Sequence, residues 1–146
     1  MPVKWYGKEV SKKLRAAQIK GVNATMAACV TGAKRKHDWN NRTGVLEGSI
    51  GIAEPAESKP TGGVRGVWGA KDARYALIHE LGGIIKPVRA QALMFRAEDG
   101  SFVVVKQVKI PARPYLRPSA DQEYPKLTSR IRRAFESSTA IPGGAS

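Results

Sequence analysis

Two histidines, one cysteine and twelve carboxylates are the groups in this 146-residue chain best suited to acid–base, nucleophilic or metal chemistry. Their spacing assembles none of the usual sets. His79-Glu80 opens like a zinc-binding His-Glu-x-x-His helix, in which histidines four apart share one face, but the second histidine would fall at Gly83. His37 has no ligand-type neighbour in sequence. Cys29 stands among Ala27, Ala28 and Val30, the setting of a small core residue rather than a thiolate. A lone cysteine can make no intrachain disulfide. No serine occupies a nucleophile elbow. Gly62, Gly63, Gly66 and Gly69 surround Val64, Val67 and Trp68, yet they lack both a P-loop ending and dinucleotide-binding spacing. A glycine-relieved strand is the expectation there. No catalytic residue, cofactor or metal ligand is predicted.

Guanidinium chemistry stands out instead. The run Lys109-Ile-Pro-Ala-Arg-Pro-Tyr-Leu-Arg-Pro118 carries Arg113 and Arg117, each able to meet a carboxylate or phosphate through two parallel hydrogen bonds. Ile110, Arg113 and Arg117 each precede a proline, which pushes them towards extended geometry. The run reads as a rigid strap that docks or positions something. Upstream, Tyr75, Ile78 and Leu81 lie three apart with Leu77 beside them, so a short amphipathic helix is expected, stopped at Gly82-Gly83. Tyr75, Tyr115 and Trp68 could stack on bases with Arg113 and Arg117 on phosphates. Their apolar neighbours favour core packing or a protein interface.

The elements that must hold these residues follow from periodicity. Residues 8–36 read as a long helix with two apolar stripes. One contains Val10, Leu14, Ala17, Gly21, Ala24 and Ala28, and its small residues would admit a close neighbour. The other contains Ile19, Val22, Met26, Cys29, Val30 and Ala33. The first is read as a face towards another subunit; the alternative is a helix wedged inside one chain. Eight basic residues crowd this helix against Glu9 alone, and Lys34 to Lys36 complement its C-terminal dipole. After a polar loop holding Trp39, Thr43 would cap a short turn over Val45 and Leu46. A strand is expected over 49–54, a surface loop over 55–60, and a short extended piece at 84–86. Two β segments at 92–97 and 102–110 are joined through Asp99-Gly100, a hairpin signal. Consecutive Val103, Val104 and Val105 predict a strand covered on both faces. Ser119 to Gln122 has a capping-box pattern for a last helix carrying Tyr124, Leu127, Ile131, Ala134 and Phe135, with Pro125 better suited to its first position. The fold class expected is α+β: an antiparallel sheet of about four strands, a long N-terminal helix, a short middle helix and a C-terminal helix. One domain over 1–136 and a loose tail over 137–146 are expected.

The chain is 42% hydrophobic and 25% charged, a globular composition, and no apolar run approaches the roughly 20 residues of a membrane span. Its N-terminus lacks the apolar core of a signal peptide. The net charge of +13 points to an anionic partner, to an acidic protein neighbour, or simply to a solvated basic surface.

Several stretches together resemble a known family. They are Tyr75-Ala-x-x-x-Glu80-x-Gly82-Gly83, Ile85-Lys-Pro87, Ala92-Leu-Met-Phe95 and, most specific, Ile110-Pro-Ala-Arg-Pro-Tyr-Leu-Arg-Pro118, with weaker support from Arg42-Thr-Gly-x-Leu46. This pattern is similar to tail completion and head–tail joining (neck) proteins of long-tailed bacteriophages and to the virion morphogenesis proteins of Mu-like phages. It covers about Val10 to Phe135. The resemblance implies a structural virion protein rather than an enzyme. It implies a ring, hexameric by expectation, in the particle, whether or not the protein is monomeric in solution. It also implies contact with a tail-tube or tail-terminator protein, contact with a head-completion or adaptor protein, and DNA in the channel. The location implied is the head–tail junction, with the host cytoplasm during assembly. Glu80, Gly82, Gly83, Pro87, Arg113, Pro114, Leu116 and Pro118 match the pattern, and none is catalytic in it. On physical grounds Arg113 is expected to pair with Glu80, within or between subunits. Tyr115, Arg117, Leu14, Ala17, Gly21 and Ala24 are expected contact residues. Basicity and a lengthened 55–70 region depart from the family and keep an alternative open: a sequence-nonspecific nucleic-acid-binding protein using the basic N-terminal helix.

Overall fold

A computed structural model describes residues 5–36, 44–71 and 76–138. The expectations for Trp39, the Thr43 cap, Tyr75 and the tail beyond Ser138 fall outside these residues. The elements are α1 (Gly7–Arg35), α2 (Val45–Ser49), β1 (Ile50–Ser58), β2 (Val64–Ala70), α3 (Ala76–Leu81), β3 (Gly83–Ile85), β4 (Leu93–Arg96), β5 (Phe102–Val105), β6 (Val108–Ile110), α4 (Leu116–Glu123) and α5 (Leu127–Ser137). One turn of 3-10 helix, Tyr124–Lys126, joins α4 to α5. The architecture is α+β, with the long N-terminal, short middle and C-terminal helices that periodicity anticipates. Among the described residues six strands form three two-stranded antiparallel ladders: β1–β2, β3–β6 and β4–β5.

α1 runs 29 residues on helix-favouring Lys, Ala, Gln and Arg, and ends with Lys34 and Arg35 in its last turn. The chain itself covers the second stripe and, in the first, Ala17 and Gly21. α5 lies along the first and β1, β2 and α4 along the second. Gly21 is the closest approach to α5: a Cβ there would collide with Ile131 Cγ1 and sit 3.1 Å from the Ile131 backbone. At Gly66 of β2 the missing side chain makes room for Met26 of α1. The intersubunit reading of Ala17 and Gly21 is therefore corrected. Both are buried by their own chain, because a stripe of small residues accepts a helix from the same fold as readily as one from a neighbour. Leu14 and Ala24 remain exposed.

The surface loop expected at 55–60 is corrected in the same way. Residues 55–58 continue β1, with Glu57 opposite Arg65 and Ser58 opposite Val64. Pro55 has no N–H to give a ladder, and the strand accommodates it within the register shift between Glu54 and Glu57. The Ala56 N–H, turned out of the ladder, donates to Asn23 Oδ1 of α1 at 2.9 Å. Gly62 and Gly63, at φ 92° and 81°, close the hairpin, and Arg15 of α1 donates to the Gly63 carbonyl.

The β4–β5 hairpin turns at Gly100, φ 85°, where the Asp-Gly signal places it. Its valine run is not covered on both faces. Val104 is 63% exposed and Phe102 69%, while Val103 and Val105 are only half-buried. Among the described residues no third strand pairs with this hairpin, and its outer face stays exposed. The core lies elsewhere, around Ala33, Ile50 and Tyr115, with Val30, Leu46, Trp68, Ala70, Ala76 and Leu116 packed against it.

Candidate functional site

α3 and the strap form one interlocked unit. α3 stops at Gly82, whose φ of 69° is left-handed and whose N–H donates to Ile78 O at 2.7 Å. The strap crosses directly over this residue. A Cβ on Gly82 would sit 2.7 Å from the Ala112 nitrogen and 2.9 Å from the Ile110 carbonyl oxygen. Glycine is thus required twice, for its backbone angle and for the crossing. Gly83 begins β3 and pairs with Ile110 of β6. Beyond the crossing, the Arg113 N–H donates to His79 O at 2.7 Å.

Glu80 completes the lock. Its Oε2 accepts the N–H groups of Tyr115 at 2.8 Å and Leu116 at 3.0 Å, and its Oε1 accepts that of Arg117 at 2.9 Å. These are the N-cap, first and second positions of α4. A helix N-terminus leaves four N–H groups without intrahelical partners. Three go to Glu80, and the fourth position is Pro118, which has no N–H. The negative carboxylate also meets the positive end of the α4 dipole.

Within the chain the Glu80 carboxylate is not paired with the Arg113 guanidinium, so the intrachain form of that expectation is corrected. Glu80 is engaged by a helix N-terminus, where three aligned donors outcompete one flexible guanidinium. Arg113 joins the lock through its backbone. Arg117 is not extended but lies in the first turn of α4, with its side chain in solvent. Proline within a first turn costs a helix nothing, and the local bias against helix before proline yields to the cap. Helical structure accordingly starts at Leu116, three residues before the capping-box pattern at Ser119. Pro125 falls in the 3-10 turn.

Tyr115 is fully buried at the centre of the core, so it is not a surface contact residue. Burial, helped by the nearby Glu80 charge, pushes its hydroxyl pKa up to about 12. Pro87 is half-buried after β3, and Pro114 is exposed ahead of Tyr115.

Two contacts escaped the sequence. Ser119 Oγ donates to the Cys29 carbonyl at 2.7 Å, where α4 crosses α1 over Gly32. Gly32 on a helix face was the only local signal. Arg130 reaches Glu123 and Thr25 Oγ1, tying α5 to α4 and α1. Arg130, with Lys126, holds the Glu123 carboxyl below the usual range. Burial pushes the Cys29 thiol up, away from thiolate chemistry. Among the described residues, no three His, Cys, Asp or Glu side chains come together as a metal site, and no helix is long and apolar enough to cross a membrane.

Exposed apolar side chains concentrate in the segment from α3 to β5. Thirteen large apolar side chains are exposed among the described residues, and eight lie between positions 77 and 104: Leu77, Leu81, Ile84, Val88, Met94, Phe95, Phe102 and Val104. Met94 stands opposite Val104, and Arg96 opposite Phe102, on one face of the β4–β5 hairpin. The Arg96 guanidinium lies 5.9 Å from the Phe102 ring centre. No family model, curated protein or solved structure matches the chain.

Proposed function

We propose that this protein is a structural component of a phage head–tail junction, assembling as a ring through the 77–104 region and joining tail to head. The observation that carries this reading is the exposed apolar concentration on the β4–β5 hairpin and its surroundings. A two-stranded hairpin is marginal alone, and its outer face gains most from burial against another surface. Two further points support the reading. The stretches that carry the resemblance to tail completion proteins, 75–83 and 110–118, interlock through Glu80 and Gly82. Ala17 and Gly21 of the α1 stripe are spent inside the chain, and large exposed apolar side chains are more numerous between 77 and 104 than on α1. In the particle the ring would stack between a tail-tube or tail-terminator protein and a head-completion or adaptor protein.

Light scattering at 0.1 M and 1 M salt, with and without a tail-tube protein, tests the reading. Assembly through apolar surface is expected to survive high salt and to show closed rings in negative-stain images. Met94→Asp/Val104→Asp is expected to give a folded monomer. A wild-type protein that stays monomeric with and without the tail-tube protein would overturn the reading, as would multimers unaffected by the double substitution.

A further inference from the structure

α1 and α5 enclose a second surface of opposite character. Lys20, Ala24, Arg130, Arg133, Ala134 and Ser137 line a cleft of about 310 Å³ between the two helices. Its floor is alanine, so an approaching group meets no bulky side chain. Its walls are cationic. Arg130 is partly neutralised by Glu123, which it shares with Lys126. Lys20 and Arg133 have no acidic partner among the described residues. Lys13 lies two helical turns before Lys20, about 10.5 Å along α1, and its ammonium sits 4.5 Å from the Phe135 ring centre on α5. The acidic groups on the two helices are Glu9 and Glu136, both exposed.

We propose that this cleft binds the phosphate backbone of duplex DNA without reading sequence. Three observations favour that ligand. The cations are held on two packed helices rather than on loops, so little order is lost on binding. The net charge of +13 adds long-range attraction for a polyanion. Single-strand binders stack bases on open aromatic faces, but no aromatic side chain is among the described residues lining this cleft, and the Phe135 ring on α5 has the Lys13 ammonium over it. The surface is separate from the 77–104 region, and the inference stands whether or not the chain forms a ring.

The test is fluorescence anisotropy with a 20-base-pair duplex across 0.05–0.3 M salt. Lys20→Gln/Arg133→Gln removes two phosphate contacts. It is expected to lower affinity at least tenfold at 0.1 M salt and to reduce the log affinity–log salt slope by about 1.8, from 0.9 per contact. Lys86→Gln/Lys109→Gln makes the same charge change elsewhere and is expected to stay within twofold of wild type. Equal losses in the two pairs would show only bulk charge and overturn the site. Absence of wild-type binding at 0.1 M salt, tighter binding to single strands, or binding to phosphatidylserine vesicles in place of DNA would also overturn it. The monomeric Met94→Asp/Val104→Asp protein is expected to bind DNA, which separates this inference from the ring.

Discussion

Removing the Glu80 carboxylate should open the lock at a definable cost. In Glu80→Ala the N–H of the fully buried Tyr115 loses its acceptor. A buried unsatisfied donor costs about 1–3 kcal/mol. Losing a negative charge at a helix N-terminus adds about 0.3–1 kcal/mol. The Arg117 N–H lies on an exposed residue and can turn to solvent, so it adds little. The expected loss is therefore about 1.3–4 kcal/mol, a large share of the roughly 5–15 kcal/mol that holds a domain of ordinary stability. Glu80→Gln keeps one carbonyl oxygen for the Tyr115 and Leu116 donors and gives up the charge, so about 1 kcal/mol is expected. Urea unfolding followed by far-UV circular dichroism measures both, provided the slope with denaturant is unchanged. Glu80→Ala within about 0.5 kcal/mol of wild type would refute the cap, against the 0.5–2 kcal/mol typical of caps. So would Glu80→Gln as damaging as Glu80→Ala. The charge swap Glu80→Arg with Arg113→Glu discriminates further: it should not restore stability, because the bonds it would need to replace are to backbone.

Two other perturbations probe the same unit. Gly82→Ala should be clearly worse than Gly100→Ala: both have positive φ, costing about 1–2 kcal/mol, but only Gly82 would also drive a Cβ into the strap, while Gly100 has open space. Equal melting temperatures for the two variants would contradict the crossing. Stability should also fall at high pH through Tyr115. Its folded pKa is raised from an ordinary value near 10 to about 12, so the contribution is complete below pH 10 and is lost as pH rises towards 12. The slope reaches at most about 1.4 kcal/mol per pH unit, and unfolding midpoints measured over this window should show it in wild type but not in Tyr115→Phe.

Much of the local structure was legible in the chain because it depends on neighbours in sequence. The 3.6-residue period set α1 over nearly its observed length. Gly82 stopped α3, and Asp99-Gly100 turned the β4–β5 hairpin. The two stretches singled out, 75–83 and 110–118, belong together in space, yet which atoms join them was not legible. A carboxylate looks the same in sequence whether it will meet a guanidinium or the N-terminus of a helix thirty-five positions away. Glu80 found the helix because Gly82 lets the strap cross close enough to bring α4's open end to it. Pro55 read as a loop, since local chemistry could not reveal that a bulge and Asn23 would satisfy the strand around it. The α1 stripes showed two apolar sides, and only tertiary packing decided that the same chain covers the second stripe and Ala17 and Gly21 of the first, while Val10, Leu14 and Ala24 stay exposed. The valine run showed the opposite failure: its apolarity is intrinsic to the sequence, but burial belongs to whatever stands opposite, and within the described chain nothing stands against the outer face of that hairpin. Periodicity and turn chemistry are properties of adjacent residues; coverage and hydrogen-bond partnership are properties of distant ones, and the fold alone brings those into contact.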